Sequence, residues 1–483
     1  MLNTTLNIIP KPFHVRMPGG FLTYPLQAPA VKKHDPSLPR EGYLLSVSGD
    51  GVTAACSSDA GYFYASQTLR QLRRQFGTAL PFLTLLDKPR FPYRAFMIDC
   101  ARHFFSVSEL KRMIDAAAMF KFNIFHWHLT NDQGWRADLP GLPELREKGS
   151  VRTHSNFGRV YDPTSYGGCY SADEMREIVS YCRERFIEVV PEFDLPGHVS
   201  ALLHVYPELA CGQRPVELKA TGGIFKDILC AGNSDTLPVL FKIFDGFCDI
   251  FDGPYIHIGG DEVPKNRWRD CPDCQAKIAS LGLKNEEELQ GWLMNQVAGY
   301  LREKGKISVA WNESLRGGNL DGDIISQMWM EKGTLSADRA NTGHALIVSD
   351  FYHHYMDYPY GMTPLKKVYL FDPLIDGLTP VGAENVIGID TPIWTEHVRD
   401  FERMGYQCYP RFIAVAERVW STEGSRDYKD FRSRLKKVIP ALDSLVPYAS
   451  EREWDPNPVQ RVSQTVSFFA RSGNAEMMRN MKE

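Results

Sequence analysis

Tyr255-Ile256-His257-Ile258-Gly259-Gly260-Asp261-Glu262 is a short apolar run that ends in two glycines and two adjacent carboxylates. It is too short for a helix, its isoleucines are β-branched, and a glycine pair lets the backbone leave a strand sharply. The stretch therefore reads as a buried strand that delivers Asp261 and Glu262 to its mouth. An Asp-Glu pair is by itself as common on a solvated loop, so the surrounding chain decides.

Outward from this strand, the chain from Arg94 onward alternates strand-like runs with helical ones, the pattern of a parallel sheet. Eight strands are expected: Ala95 to Asp99, Ile124 to Leu129, Glu188 to Phe193, Tyr255 to Ile258, Ile307 to Trp311, Ile324 to Trp329, Ala345 to Ser349 and Val386 to Trp394. Two intervening helices open with a capping box, Ser106 with Glu109 and Ser171 with Glu174. The fold class is α/β, a (β/α)8 TIM barrel, which demands that functional side chains gather at the carboxyl ends of the strands. Here those ends carry Asp99 and Arg102, then His128, Asn131 and Asp132, then Glu192, Asp194 and His198, then His257, Asp261 and Glu262. Later ends add Trp311, Glu313, Trp329, Tyr355, Asp357, Trp394 and Glu396, and the strand starts are far poorer in such groups.

Before the barrel, residues 1–91 alternate short strands with turns and offer one helix, from Gly61 to Arg74, so a small α+β domain is expected there. The charged, proline-flanked stretch Leu86 to Pro92 marks the boundary. The barrel is expected over 92–445 and a C-terminal extension over 446–483, as a further helix or a loosely held tail.

The formal net charge of −4 gives no attraction for polyanions, so no nucleic-acid partner is expected. No run is long and apolar enough to span a bilayer. Met1 to Pro12 lacks the basic flank and apolar stretch of a secretory signal. The protein is expected to be cytoplasmic, or secreted or periplasmic if a signal has been removed; its oligomeric state stays open. The ten cysteines are scattered, which argues against a disulfide framework. Cys271-Pro-Asp-Cys274 is the one close pair. A structural zinc would need two more ligands at similar spacing and none follows nearby, so no metal is expected, and a local disulfide or two free thiols stay open.

A mouth rich in carboxylates, histidines and tryptophans, without a phosphate-binding glycine loop, suits carbohydrate. Aromatic faces pack on sugar rings, and charged side chains bind hydroxyls. Glycoside cleavage needs a carboxylic acid to protonate the leaving oxygen.

Five motifs carry a resemblance: His257-Ile-Gly-Gly-Asp-Glu262, Asp99-Cys-Ala-Arg-His-Phe-Phe105, His126-Trp-His-Leu-Thr-Asn-Asp-Gln-Gly-Trp-Arg136, Pro191-Glu-Phe-Asp-Leu-Pro-Gly-His198 and Trp394-Thr-Glu396. The sequence resembles a family 20 glycoside hydrolase, the β-N-acetylhexosaminidases, from near the N-terminus to about residue 445. The first domain resembles the small domain that precedes the barrel in this family, through Ile9-Pro10-Lys11-Pro12 and Gly61-Tyr-Phe-Tyr-Ala-Ser-Gln-Thr-Leu69.

The resemblance implies a retaining, substrate-assisted reaction through an oxazolinium intermediate, with no cofactor, on a small molecule or glycan bearing a terminal N-acetylhexosamine. Glu262 would be the acid and base, Asp261 the acceptor of the acetamido N–H, and Tyr355 a donor to the acetamido oxygen. Arg102, Asp357 and Glu396 would bind hydroxyls, while Trp311, Trp329 and Trp394 would wall the subsite. His198 and His257 are either substrate-facing or structural.

Asn131 departs from the family pattern of two aspartates, the first of which is expected beside the acid glutamate. Asparagine there removes a like charge, which implies an acid-shifted pH profile, weaker activity or altered substrate choice. A catalytically weakened sugar-binding protein is the main alternative, and a metal-using barrel hydrolase a third.

Overall fold

The computed structural model describes residues 5–472 apart from 159, 332, 423 and 425. All eight expected strands are present: β1 (Tyr93–Asp99), β2 (Ile124–Asn131), β3 (Glu188–Phe193), β4 (Tyr255–His257), β5 (Ile307–Trp311), β6 (Ile325–Met328), β7 (Leu346–Val348) and β8 (Val386–Ile393). Each pairs in parallel with the next, and β8 pairs with β1, so the sheet closes into a barrel. Every residue of β1 and β2 is buried, as expected where helices cover the outside and side chains fill the inside. Both predicted capping boxes are made, at the helices Val107–Met119 and Ala172–Arg183.

The barrel interior is stratified. At the amino ends of the strands Tyr93, Ala95, Val190, Val309, Ile325 and Ile347 form an apolar plug. Above it lies a buried polar layer built from His126 and His128 of β2, Glu192 of β3, His257 of β4, Gln327 of β6 and Asp390 of β8. The carboxyl-end loops sit on that layer.

The N-terminal domain packs the helix Asp59–Phe76 against a five-stranded sheet whose order is His14–Arg16, Leu83–Asp87, Tyr43–Ser48, Gly51–Cys56, Val31–His34. Its seam with the barrel is polar and buried. Lys121 Nζ lies 2.8 Å from Asp87 Oδ2 and from the Tyr43 hydroxyl, and Trp420 Nε1 donates to Asp87 Oδ1 at 2.9 Å. Arg94, in β1, holds Glu41 through both guanidinium nitrogens at 2.8 and 3.0 Å. Further along, the backbone amide of Lys11 donates to Glu417, which Arg434 also grips.

Within the C-terminal extension the helix Pro458–Ser472 is docked on the body. Gln464 accepts from the Gly361 amide at 2.7 Å, and the Phe468 ring meets Tyr358 and His397 at 5.2 and 5.5 Å. Residues 473–483 of that expected segment lie outside the described residues. No helix among the described residues is long and apolar enough to cross a membrane.

Candidate active site

β4 is short because its continuation must turn at once. Gly259 and Gly260 have φ of +66° and +108°, where a side chain is strained. A Cβ on Gly259 would overlap Asp194 Oδ1, and one on Gly260 would overlap Ser314 Oγ. The two glycines therefore let the chain cross between β3 and the turn after β5, and the Trp311 amide fixes this path by donating to Gly259 O at 2.9 Å. Glu262 follows with φ of +49°, an uncommon left-handed conformation for a non-glycine residue and of the kind that accumulates at functional sites.

Beneath these residues Glu192 is the hub of the polar layer. It accepts from Trp311 Nε1 at 2.9 Å, lies 3.0 Å from His257 Nδ1 and bonds His128 Nδ1. Burial alone would raise its pKa, yet the fields of His128, His257 and His126 hold it well below the ordinary value. His126, which also bonds Asp390 at 2.6 Å, is pushed up to about 9 against the effect of burial. His257 thus belongs to the support of the site, with no exposed surface. Trp311 is likewise fully buried and underlies the aromatic cluster of Trp329, Tyr355 and Trp394.

Asp261 is 8% exposed, and its Oδ1 is buried without a hydrogen-bond partner. Burial raises its pKa to about 7; Glu262, Glu192 and Glu313 push the same way and His198 opposes them. His198 Nε2 lies 3.3 Å from Glu262 Oε2 and 4.0 Å from Asp261 Oδ2. Its Nδ1 lies 3.0 Å from Asp132 Oδ2. Burial disfavours the imidazolium, but Asp132 and Glu262, with Asp194 and Asp261 behind them, outweigh it and raise the His198 pKa well above 6.5. His198 is thereby a cation at neutral pH that bridges three carboxylates.

The geometry corrects the expectation for Asn131. Its Nδ2 lies 2.9 Å from His128 Nε2, and its Oδ1 accepts the Asp132 amide at 2.8 Å. Its partners are in the polar layer, and the carboxylate that communicates with Glu262 is Asp132, through His198. Asp132 is fixed by Ser200, whose amide and hydroxyl donate to Oδ1 at 3.0 and 2.5 Å. The physical reason is the strand's alternation: consecutive residues at the end of β2 point in different directions, so the two positions cannot exchange roles.

Arg102 stands on the other side of the mouth, with Nη1 3.1 Å from Asp99 Oδ2, Nε 3.1 Å from Glu396 Oε1 and its guanidinium 4.9 Å from the Trp394 ring centroid. Asp357 is partly buried with an unpartnered Oδ1, and burial, reinforced by Glu396, raises its pKa to about 8. Tyr355 stacks on Trp329 at 6.0 Å, and burial next to Asp261 raises its pKa far enough to keep the phenol a donor. Trp329 Nε1 is also buried without a partner.

Of the residues expected at the site, Asp261, Glu262 and His198 converge directly, while Arg102, Glu396 and Trp394 form a second contact group. Sequence reasoning did not assign roles to Asp132, Asp194 and Glu313. Asp194 Oδ1 accepts the Gly260 amide at 3.2 Å, and burial beside Asp261 raises its pKa well above the ordinary value. Glu313 accepts the Glu262 amide and lies 2.6 Å from Arg316 Nη1. Their positions at strand ends were the available signal.

Three groups among the described residues bring ligand-type atoms close together: His126 with Glu192 and His257, Asp194 with His198 and Asp261, and Cys211 with Cys230, Cys271 and Cys274. The first belongs to the polar layer and the second to the cluster of carboxyl groups around His198, both just described. The third corrects the expectation that Cys271 and Cys274 have no further ligand-type side chains near them, since Cys211 and Cys230 reach them from earlier in the chain.

A family model described as glycosyl hydrolase family 20, catalytic domain, matches residues 91–423, and one described as domain 2 of the same family matches residues 23–88. The beta-hexosaminidase of Porphyromonas gingivalis is 38% identical over 432 residues, covering 85% of this chain and 55% of its own length, so the chain spans little more than half of that relative. The beta-hexosaminidase of Akkermansia muciniphila is 34% identical over 441 residues, 88% of each chain. Among solved structures, a beta-N-acetylhexosaminidase superposes with a TM-score of 0.85 at 30% identity, over 94% of this chain and 99% of its own. The family 20 exo-beta-N-acetylglucosaminidase of Vibrio harveyi, solved with N-acetylglucosamine, gives 0.82 at 29% identity, over 92% and 78%.

Proposed function

Because the chain belongs to glycosyl hydrolase family 20, we propose that it removes terminal β-linked N-acetylglucosamine or N-acetylgalactosamine from glycans with retention at the anomeric carbon. The observation that carries this reading is Asp261 Oδ1, a buried carboxylate oxygen left without a partner beside Glu262. An unmade hydrogen bond at such an atom is costly, and an acetamido N–H would make it.

In the proposed reaction the carbonyl oxygen of the substrate's acetamido group attacks the anomeric carbon as the glycosidic bond breaks. Glu262 gives its proton to the departing oxygen. Asp261 accepts the acetamido N–H and stabilises the positive charge that spreads over the forming oxazolinium ring, while Tyr355 donates to the acetamido oxygen. Water then attacks the same carbon, gives its proton to the Glu262 carboxylate, and the ring reopens. Cationic His198, held by Asp132, keeps the neighbouring carboxylates in place through the cycle. Arg102, Asp357 and Glu396 supply donors and acceptors for ring hydroxyls.

Hydrolysis of a chromogenic N-acetyl-β-glucosaminide, compared with the β-glucoside that lacks the acetamido group, tests the reading. Turnover confined to the acetamido substrate is expected; equal turnover of both would sink it. Binding without release at any pH would favour the sugar-binding alternative. That alternative rested on Asn131, whose hydrogen bonds run to His128 and the Asp132 amide.

A further inference from the structure

Outside the barrel mouth, four cysteine sulfurs meet. Cys230 Sγ lies 3.7 Å from Cys271 Sγ and 3.6 Å from Cys274 Sγ, and Cys211 Sγ lies 3.9 Å from Cys274 Sγ. All four sulfurs fall within 4.8 Å of one another, and every one belongs to a free, buried cysteine. Four thiolates at about 2.3 Å from a tetrahedral zinc ion stand about 3.8 Å apart, the edge of that tetrahedron. The three shortest separations match those edges, and they exceed the roughly 2.05 Å of a disulfide bond.

The backbone around the sulfurs is built to bring them together. Cys271 caps the helix Pro272–Leu281, and Cys274 sits in its first turn, the Cys-x-x-Cys spacing that turns two sulfurs to one side. The segment that brings Cys230 passes so close that a Cβ on Gly232 would overlap the Asp273 carbonyl. Cys230 N–H donates to Leu209 O at 2.8 Å, which draws in the segment bearing Cys211, and Thr236 Oγ1 donates to Cys230 O at 2.7 Å. A single disulfide would satisfy two of these sulfurs and leave the other pair buried against it.

We propose that Cys211, Cys230, Cys271 and Cys274 bind one zinc ion as a closed, structural site of four thiolates. Zn2+ displaces the thiol protons and takes all four sulfurs, leaving no open position, so its work is mechanical. Leu229, next to Cys230, donates to Pro196 O at 3.0 Å and accepts from Trp268 Nε1 at 2.7 Å. Pro196 belongs to the loop that carries His198, and Trp268 to the chain that follows Asp261 and Glu262. The ion thus clamps the loop after β3 to the loop after β4, whose side chains meet at the proposed acid.

The test is metal analysis of the full-length protein purified without chelator from zinc-containing medium, together with intact-mass alkylation. About one zinc per chain is expected, with these four thiols resistant to alkylation until a chelator strips the ion, and no loss of hydrogen mass. Cys230→Ser and Cys274→Ser should lower zinc content at least tenfold. Because these variants could fail to fold, native protein exchanged with Co2+ provides a second measurement, in which a thiolate-to-cobalt charge-transfer band and tetrahedral d–d bands are expected. Negligible zinc, iron in its place, or a disulfide within the quartet would overturn the assignment. None of these readouts depends on glycosidase activity, so the site and the proposed reaction fail separately.

Discussion

Replacing Asp261 by asparagine should make the protein less active and, above neutral pH, more stable. The carboxylate is buried, its Oδ1 has no partner, and Oδ2 is 4.0 Å from His198 Nε2, so asparagine forfeits few contacts. Burial, with the nearby carboxylates, moves its pKa from 3.8 to about 7. A native pKa above the unfolded one means the native state keeps a proton that the unfolded chain has released. Stability is then full below about pH 4 and falls as pH rises towards 7. At about 1.4 kcal/mol per tenfold change in ionisation, the loss is about 4 kcal/mol, a figure in which the attraction to His198 is already contained. For a chain of this length about 1 kcal/mol corresponds to about 1 °C. The apparent Tm of Asp261→Asn should match the parent at pH 4 and exceed it by about 4 °C at pH 8. Differential scanning at one heating rate across that range measures it. A Tm difference that does not change with pH, or one that favours the parent at pH 8, would refute the claim that this carboxylate is held ionised at a cost. Activity should fall by about 10²- to 10³-fold at pH 8, where the parent carboxylate is ionised, and much less at pH 4, where it is protonated and asparagine resembles it.

Glu262→Gln should cut kcat by about 10²- to 10⁴-fold for substrates with poor leaving groups and much less for a nitrophenyl leaving group, read from paired steady-state assays. Asp132→Asn should shift the pH–rate profile by removing a partner of the His198 cation, while Asn131→Asp should leave that profile within about twofold of the parent; the reverse outcome would restore Asn131 as the neighbour of the acid. Gly259→Ala should destabilise by at least about 2 kcal/mol in urea titration, since it adds a clash with Asp194 to a left-handed backbone. Asp87→Ala should cost about 3 to 5 kcal/mol, because Lys121 would be left as an uncompensated buried charge.

The barrel was legible because its strands are short, mostly apolar runs separated by helical stretches, two of which open with a capping box, and even the short β4 announced itself through β-branched residues and its glycine pair. The identity of the mouth residues was legible for the same reason: strand ends are countable. What sequence could not resolve was direction. Asn131 and Asp132 are neighbours on one strand end, and only the closed barrel shows which faces His198 and which faces His128. Trp311 and Trp394 look alike at their strand ends, yet one is wholly buried against Glu192 and the other reaches Arg102. The cysteine quartet was hidden by distance along the chain, since contacts between residues 41 to 63 positions apart leave no local periodicity.

The buried seam between the two domains has a consequence for synthesis. Glu41, Tyr43 and Asp87 are made early, but their partners Arg94, Lys121 and Trp420 lie in the barrel, the last of them 333 positions beyond Asp87. At about 5–20 residues per second, the ribosome delivers Trp420 roughly a quarter of a minute to a minute after Asp87. Through that interval the nascent first domain carries an acidic, unfinished face, and the single closing helix Arg411–Trp420, which supplies both Glu417 and Trp420, completes barrel and domain in one event.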